Sequence, residues 1–75
     1  MNKKIKLEIF LKKGKLRQEI WNKLDKPKTA TEIAKEINKH RSAVSRTLLD
    51  FEKEGFVKCI NSEDNSFRHY VKKLF

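Results

Sequence analysis

One cysteine, one proline and two glycines are all that 75 residues hold of these types, and the chain has no long apolar run. Each scarcity closes a route. A lone thiol, Cys59, makes no internal disulfide and supplies no tetrahedral thiolate metal site. Two glycines leave no glycine-rich phosphate loop. No window approaches the roughly 20 apolar residues of a membrane span. The lysine-rich start also lacks the ~7–15-residue apolar centre of a secretory signal. A soluble, cytoplasmic chain with no membrane association is expected. Acid is scarce as well: 10 Asp and Glu stand against 19 Lys and Arg, for a net charge of +9. His40, His69, Cys59 and the carboxylates show no metal-ligand or nucleophile–base spacing. No catalytic residue, metal or cofactor is therefore assigned, and the chain is expected not to be an enzyme.

What is present fits one small domain over residues 1–75. A core of this size rarely supplies more than ~3–5 kcal/mol, so each apolar position matters. The 39% of charged residues would read as disorder if the 37% of hydrophobic ones were unpatterned. They are patterned.

The positive charge is uneven. Residues 1–28 carry a net +7, residues 29–55 are neutral and residues 56–75 carry +2. Within the neutral middle, Lys39, Arg41 and Arg46 precede Asp50, Glu52 and Glu54, so one end is basic and the other acidic. Only four basic residues are arginines, Arg17, Arg41, Arg46 and Arg68. The guanidinium fork matches phosphate and the guanine edge in fixed geometry, whereas lysine is a flexible point charge.

Leu16, Ile20 and Leu24 recur at helical spacing and predict a helix over 15–24, closed before Pro27, with Trp21 packing at the edge of its stripe. Thr29-Ala30-Thr31-Glu32 is a capping box that starts the next helix. Ile33, Ala34 and Ile37 give that helix its buried face, and Asn38 suits its left-handed end. From Arg41 to Glu54, Val44, Leu48 and Phe51 form a core stripe, while Ser42, Ser45, Arg46 and Leu49 share the opposite side. Small polar residues there let the helix approach another surface closely. Gly55 caps its end. The β-rich runs 56–60 and 67–71 flank turn formers and predict a hairpin over 56–72, with Cys59 a small packing residue. Residues 1–13 form an N-terminal extension with two readings open: Ile5, Leu7 and Ile9 alternate as in a strand, and Phe10 and Leu11 break the alternation as in a short helix.

The expected fold is mainly α with a small β-hairpin, in the order of a helix-turn-helix followed by a wing, that is, a three-helix core plus wing. The string Ile33-Ala34-Lys35-Glu36, the Asn38-Lys39-His40 turn, Val44-Ser45-Arg46, Leu48 and Glu52-Lys53-Glu54-Gly55-Phe56-Val57 carry a resemblance to winged helix-turn-helix transcription regulators of the ArsR/MarR type. Arg17, Ile20 and Leu24 match that family's first-helix spacing, and Arg68 with Tyr70 resembles its wing motif. The Gly14-Lys15-Leu16-Arg17 start looks most like archaeal members. The likeness covers about residues 14–72. It departs at Lys39, where the family has an apolar residue, and at His40, where it has a Ser or Thr cap.

The resemblance implies sequence-specific binding of double-stranded DNA and a role in transcription regulation, with the helix over 41–54 in the major groove. Ser42, Ser45 and Arg46 are then nearest the bases, with Arg46 reading guanine in bidentate fashion. Lys39 and Arg41 position phosphates. His40 caps the helix weakly or contacts phosphate when protonated, and Ser42 is the alternative cap. Leu49 either meets a thymine methyl or, the stronger expectation, packs under the wing. Arg68 and Lys58 follow the backbone or minor groove. The alternative function is a winged-helix protein-interaction module in a transcription or nucleic-acid assembly, and a third is general nucleic-acid association. A homodimer through the N-terminal segment is expected, since no C-terminal dimer helix fits before Phe75. No small-molecule effector is identifiable.

Overall fold

The computed structural model describes residues 2–64 and 67–73. The first helix, α1 (Lys3–Lys12), begins where the Asn2 side chain accepts from the Ile5 amide at 2.9 Å. This settles the open reading of residues 1–13 for these positions. The alternation of Ile5, Leu7 and Ile9 does not mark a strand, because only Leu7 is buried and Phe10 and Leu11 join it at i+3 and i+4. A second helix, α2 (Lys15–Lys23), buries Ile20. A two-residue strand, β1 (Lys28–Thr29), then runs directly into α3 (Ala30–Ile37).

The capping box is fully formed. The Thr29 hydroxyl accepts from the Glu32 amide at 3.1 Å, and the Glu32 carboxylate accepts from the Thr29 amide at 2.8 Å. Asn38 ends α3 in the left-handed region, at φ 57° and ψ 52°, and the Lys39 amide reaches back to the Ala34 carbonyl. The long helix α4 (Arg41–Lys53) follows after a three-residue turn and ends in the same way: Gly55 sits at φ +80° and the Phe56 amide reaches back to the Phe51 carbonyl.

Strands β2 (Val57–Cys59) and β3 (His69–Lys72) pair antiparallel, with Val57 opposite Lys72 and Cys59 opposite Tyr70. On its other edge β3 pairs with β1, Lys28 opposite Tyr70 and Thr29 opposite His69. The expected hairpin is thus two strands of a three-stranded sheet in the order β1-β3-β2, and the expected three-helix core has a fourth helix, α1, among the described residues. β1 is too short to show a period-2 pattern, so the sequence carried no sign of it.

One core joins these elements. Ile20, Ile33, Val44, Leu48 and Phe51 are fully buried, with Phe56 and Val57 at 1% exposure. The Phe51 ring lies between its neighbours, edge-on to Phe10 at 4.9 Å and stacked with Trp21 at 5.6 Å. Cys59 packs against the same core as expected, and its thiol lies 3.5 Å from Asn61 Oδ1. At the sheet edge Lys28 is buried except for 6% of its surface. Its ammonium is held by Glu36 at 3.0 Å and Asp25 at 3.1 Å, which supply the partners a buried cation requires. No described helix is long and apolar enough to cross a membrane.

Candidate nucleic-acid interface

The start of α4 breaks the rules that the start of α3 obeys. Helix α3 has a capping box and an acid, Glu32, in its first turn. Helix α4 has neither: its N-cap, His40, makes no side-chain hydrogen bond, and no acidic residue lies in its first turn. Neither of the expected caps, His40 or Ser42, acts as one, so Ser42 keeps its hydroxyl for other partners. Two cations, Lys39 and Arg41, stand there instead, with His40 between them, all three exposed beside the positive end of the helix dipole, where positive side chains are locally unfavourable.

At 100° per residue, Val44, Leu48 and Phe51 define the inner face of α4, and their burial agrees. Directly opposite lie Ser42, Arg46 and Leu49, all exposed. Arg41 and Ser45 occupy one flank, and this flank faces β3. There, together with Thr31, Arg68 and Tyr70, they line a cleft of ≈ 70 Å³. The sequence-derived residues therefore fall into two groups, an outward stripe of Ser42, Arg46 and Leu49, and a cleft containing Arg41, Ser45 and Arg68. Lys39 and His40 line a shallow depression on the α3–α4 turn with Asn38. Lys58 is exposed on β2 opposite Val71, outside both groups.

Two expectations change. Leu49 does not pack under the hairpin: 48% of its surface is exposed, because its position on α4 points away from the sheet. Arg68 does not extend freely from the hairpin. Its Nε donates to the Asp64 carbonyl at 3.3 Å and its Nη2 to the Ser62 carbonyl at 3.4 Å, which turns the half-buried side chain toward the cleft. Arg17, the remaining arginine, belongs to the core edge instead, 3.9 Å from the centre of the Phe10 ring.

The charges on this side are unmatched. Among the described residues, Lys28 pairs with Asp25 and Glu36, and His69 Nε2 lies 4.0 Å from the Glu32 carboxylate. None of these contacts involves Lys39, Arg41, Arg46, Lys58 or Arg68. Burial pushes the Tyr70 phenol above its usual 10.0, with its hydrogen bond to Arg68 acting in the opposite sense. The phenol is therefore a neutral donor at physiological pH. Hydrogen bonding from Thr29 holds Glu32 below the usual carboxylate value. That acid is committed to its cap and does not line the cleft. No group of three or more His, Cys, Asp and Glu side chains suited to a metal occurs among the described residues.

Thr31 and the placement of Tyr70 in the cleft escaped the sequence reading. Thr31 was visible only as part of a capping box, and nothing local signals that the starts of α3 and α4 lie side by side. No protein-family model, curated protein or solved structure matches this chain.

Proposed function

We propose that the chain is a winged helix-turn-helix protein that binds double-stranded DNA. In this reading α4 enters the major groove and the β2–β3 hairpin lies alongside it on the backbone. One observation carries it: the uncapped, acid-free start of α4 is surrounded by cations that have no carboxylate partner among the described residues. A helix start of this kind is costly on its own and becomes favourable against a polyanion. Local rules broken without compensation are expected at functional positions. The small Ser42 and Ser45 side chains permit close approach, and exposed Arg46 reaches a base edge. A role in transcription regulation follows from the family resemblance of residues 33–57.

Fluorescence anisotropy with mixed-sequence duplexes over a range of salt tests the proposal. Neutralising about 5 phosphates gives a slope of log affinity against log salt on the order of −4.5. Arg46→Ala is expected to relax base preference, by roughly 1–3 kcal/mol of discrimination at one position. Unchanged duplex affinity in Arg46→Ala and Arg41→Ala together would transfer the function to a protein-interaction module. Equal affinity for single strands would indicate general nucleic-acid association.

A further inference from the structure

We infer that the cleft between α3, α4 and β3 seats a single phosphate group, held jointly by Arg41 and Arg68. The inference deepens the DNA-binding reading and rests on it for the source of the phosphate, the duplex backbone rather than the free ion. Two arginines 27 positions apart in the sequence, Arg41 and Arg68, line one cleft of ≈ 70 Å³. Like charges that share a concave site repel unless an anion lies between them. No Asp or Glu lines the cleft itself, the nearest carboxylate influence being Glu52, further along the same flank of α4, whose charge acts on Tyr70; the other polar side chains of the cleft include the hydroxyls of Thr31, Ser45 and Tyr70, each able to donate to an oxyanion.

Size narrows the ligand. Small-molecule pockets start at about 300 Å³, so the cleft is far too small for a nucleoside and suits one tetrahedral group. Arg68 is prepared for this role. Two of its five N–H donors are held by the Ser62 and Asp64 carbonyls and it also hydrogen-bonds the Tyr70 phenol, which fixes the plane of the fork before a ligand arrives. Arg41 stands exposed on the first turn of α4 and closes the opposite wall. A phosphate seated here ties the helix to the hairpin. It also assigns Arg68 to the backbone and not to the minor groove.

Sharing one phosphate has a numerical consequence. Each neutralised phosphate contributes about −0.9 to the salt slope. The Arg41→Gln/Arg68→Gln double variant should therefore lose about 0.9 of slope, no more than one phosphate's worth. Each single variant should lose at most that amount. A loss of about 1.8 in the double variant would mean two separate phosphates and overturn the inference while leaving DNA binding intact. Lys23→Gln, an exposed charge on the far end of α2, serves as the control of equal charge change. Arg68→Lys, with amide dispersion checked by NMR, guards against a hairpin that fails to form.

A second arm separates the sources. Inorganic phosphate is titrated into the ¹⁵N-labelled chain at constant ionic strength, with chloride as the exchange ion. Shifts at Thr31, Ser45 and Arg68 that saturate, and that vanish in Arg41→Gln, support the cleft as a phosphate seat. If these shifts occur while no duplex binds, the seat stands with free phosphate as its ligand and the DNA-binding reading fails. If neither phosphate shifts nor a change of slope in the double variant is seen, the inference is wrong.

Discussion

The Arg17 guanidinium lies 3.9 Å from the centroid of the Phe10 ring, and its Nη1 donates to the Phe10 carbonyl at 3.1 Å. One cation thus holds both the side chain and the backbone of a residue in the preceding helix. The held ring packs against the core, 4.9 Å from Phe51 and 5.4 Å from Phe56, so the clamp ties α2 to α1 where α1 meets α4 and the residue before β2. A charged hydrogen bond contributes about 1.5–3 kcal/mol and an exposed cation–π contact about 0.5–1 kcal/mol. Arg17→Ala should cost about 2–4 kcal/mol in urea unfolding, with the slope of the transition unchanged. Duplex affinity of the folded fraction should stay at the wild-type level. A loss below about 0.5 kcal/mol, the usual range for a surface change, would show the clamp to be incidental.

Phe51 sets the limit of what the core tolerates. It is fully buried and touches the rings of both Phe10 and Trp21. Truncation of a buried Phe to Ala costs about 3–5 kcal/mol, about the whole of what a core of this size supplies. Phe51→Ala should therefore give a collapsed amide spectrum and no cooperative thermal transition. Phe51→Leu, which keeps most of the volume, should still unfold cooperatively at a lower temperature. A cooperative melt for the Ala variant would mean that the aromatic cluster is not the centre of stability.

Acid should weaken the fold through Glu32. Hydrogen bonds from Thr29, the backbone amide first, hold its carboxyl below the ordinary value of 4.5. A depressed acid stabilises the folded state fully above its unfolded pKa and loses that contribution as pH falls through the folded one. Stability should thus fall below pH 4.5, and Glu32→Gln should lower the neutral-pH melting temperature while flattening that fall. Equal acid sensitivity in the variant would place the effect on other carboxylates.

Much of this architecture was legible because its signals are local. The capping box at Thr29, the left-handed ends at Asn38 and Gly55, and the stripe of Val44, Leu48 and Phe51 each lie within a few residues of sequence, and each is formed as read. Three features needed the tertiary fold. Strand β1 exists because β3 offers it an edge. Helix α1 has apolar residues on both faces, so its periodicity was ambiguous until Leu7 was seen to be the buried one. The cleft joins Thr31 of α3, Arg41 of α4 and Arg68 just before β3, a proximity that no spacing along the chain encodes.

Leu49 tests the orientation of α4. Packed under the hairpin it would lose about 2–5 kcal/mol on truncation; at 48% exposure, Leu49→Ala should change stability by no more than about 0.5 kcal/mol. On a groove-facing stripe, Leu49→Lys should instead strengthen binding to every duplex and steepen the salt slope by about 0.9. A large stability loss in the Ala variant would mean that Leu49 is covered. An unchanged slope in the Lys variant would mean that this stripe does not face DNA.

A homodimer, if formed through the N-terminal segment, would pair the outer faces of two α1 helices. Ile5 and Ile9 are one helical turn apart and 45% and 42% exposed, while Leu7 on the inner side is in the core. Lys6 and Lys13 line a groove beside Ile9 together with one acid, Glu54, and Lys12 also falls on this side of the helix, so lysines outnumber the acid there. Pairing two copies through this face buries four isoleucines and brings the lysines of both chains together. The apolar gain is small against the roughly 4–15 kcal/mol that association costs, and the repulsion is unscreened at low salt. A homodimer through the N-terminal segment should therefore be weak and favoured by salt. Sedimentation velocity should show monomer near 0.1 M salt and a growing dimer fraction toward about 1 M, where the screening length drops from ~10 Å to ~3 Å. Ile9→Ser should abolish the dimer, whereas a dimer that dissociates as salt rises would be held by ion pairs and not by this face.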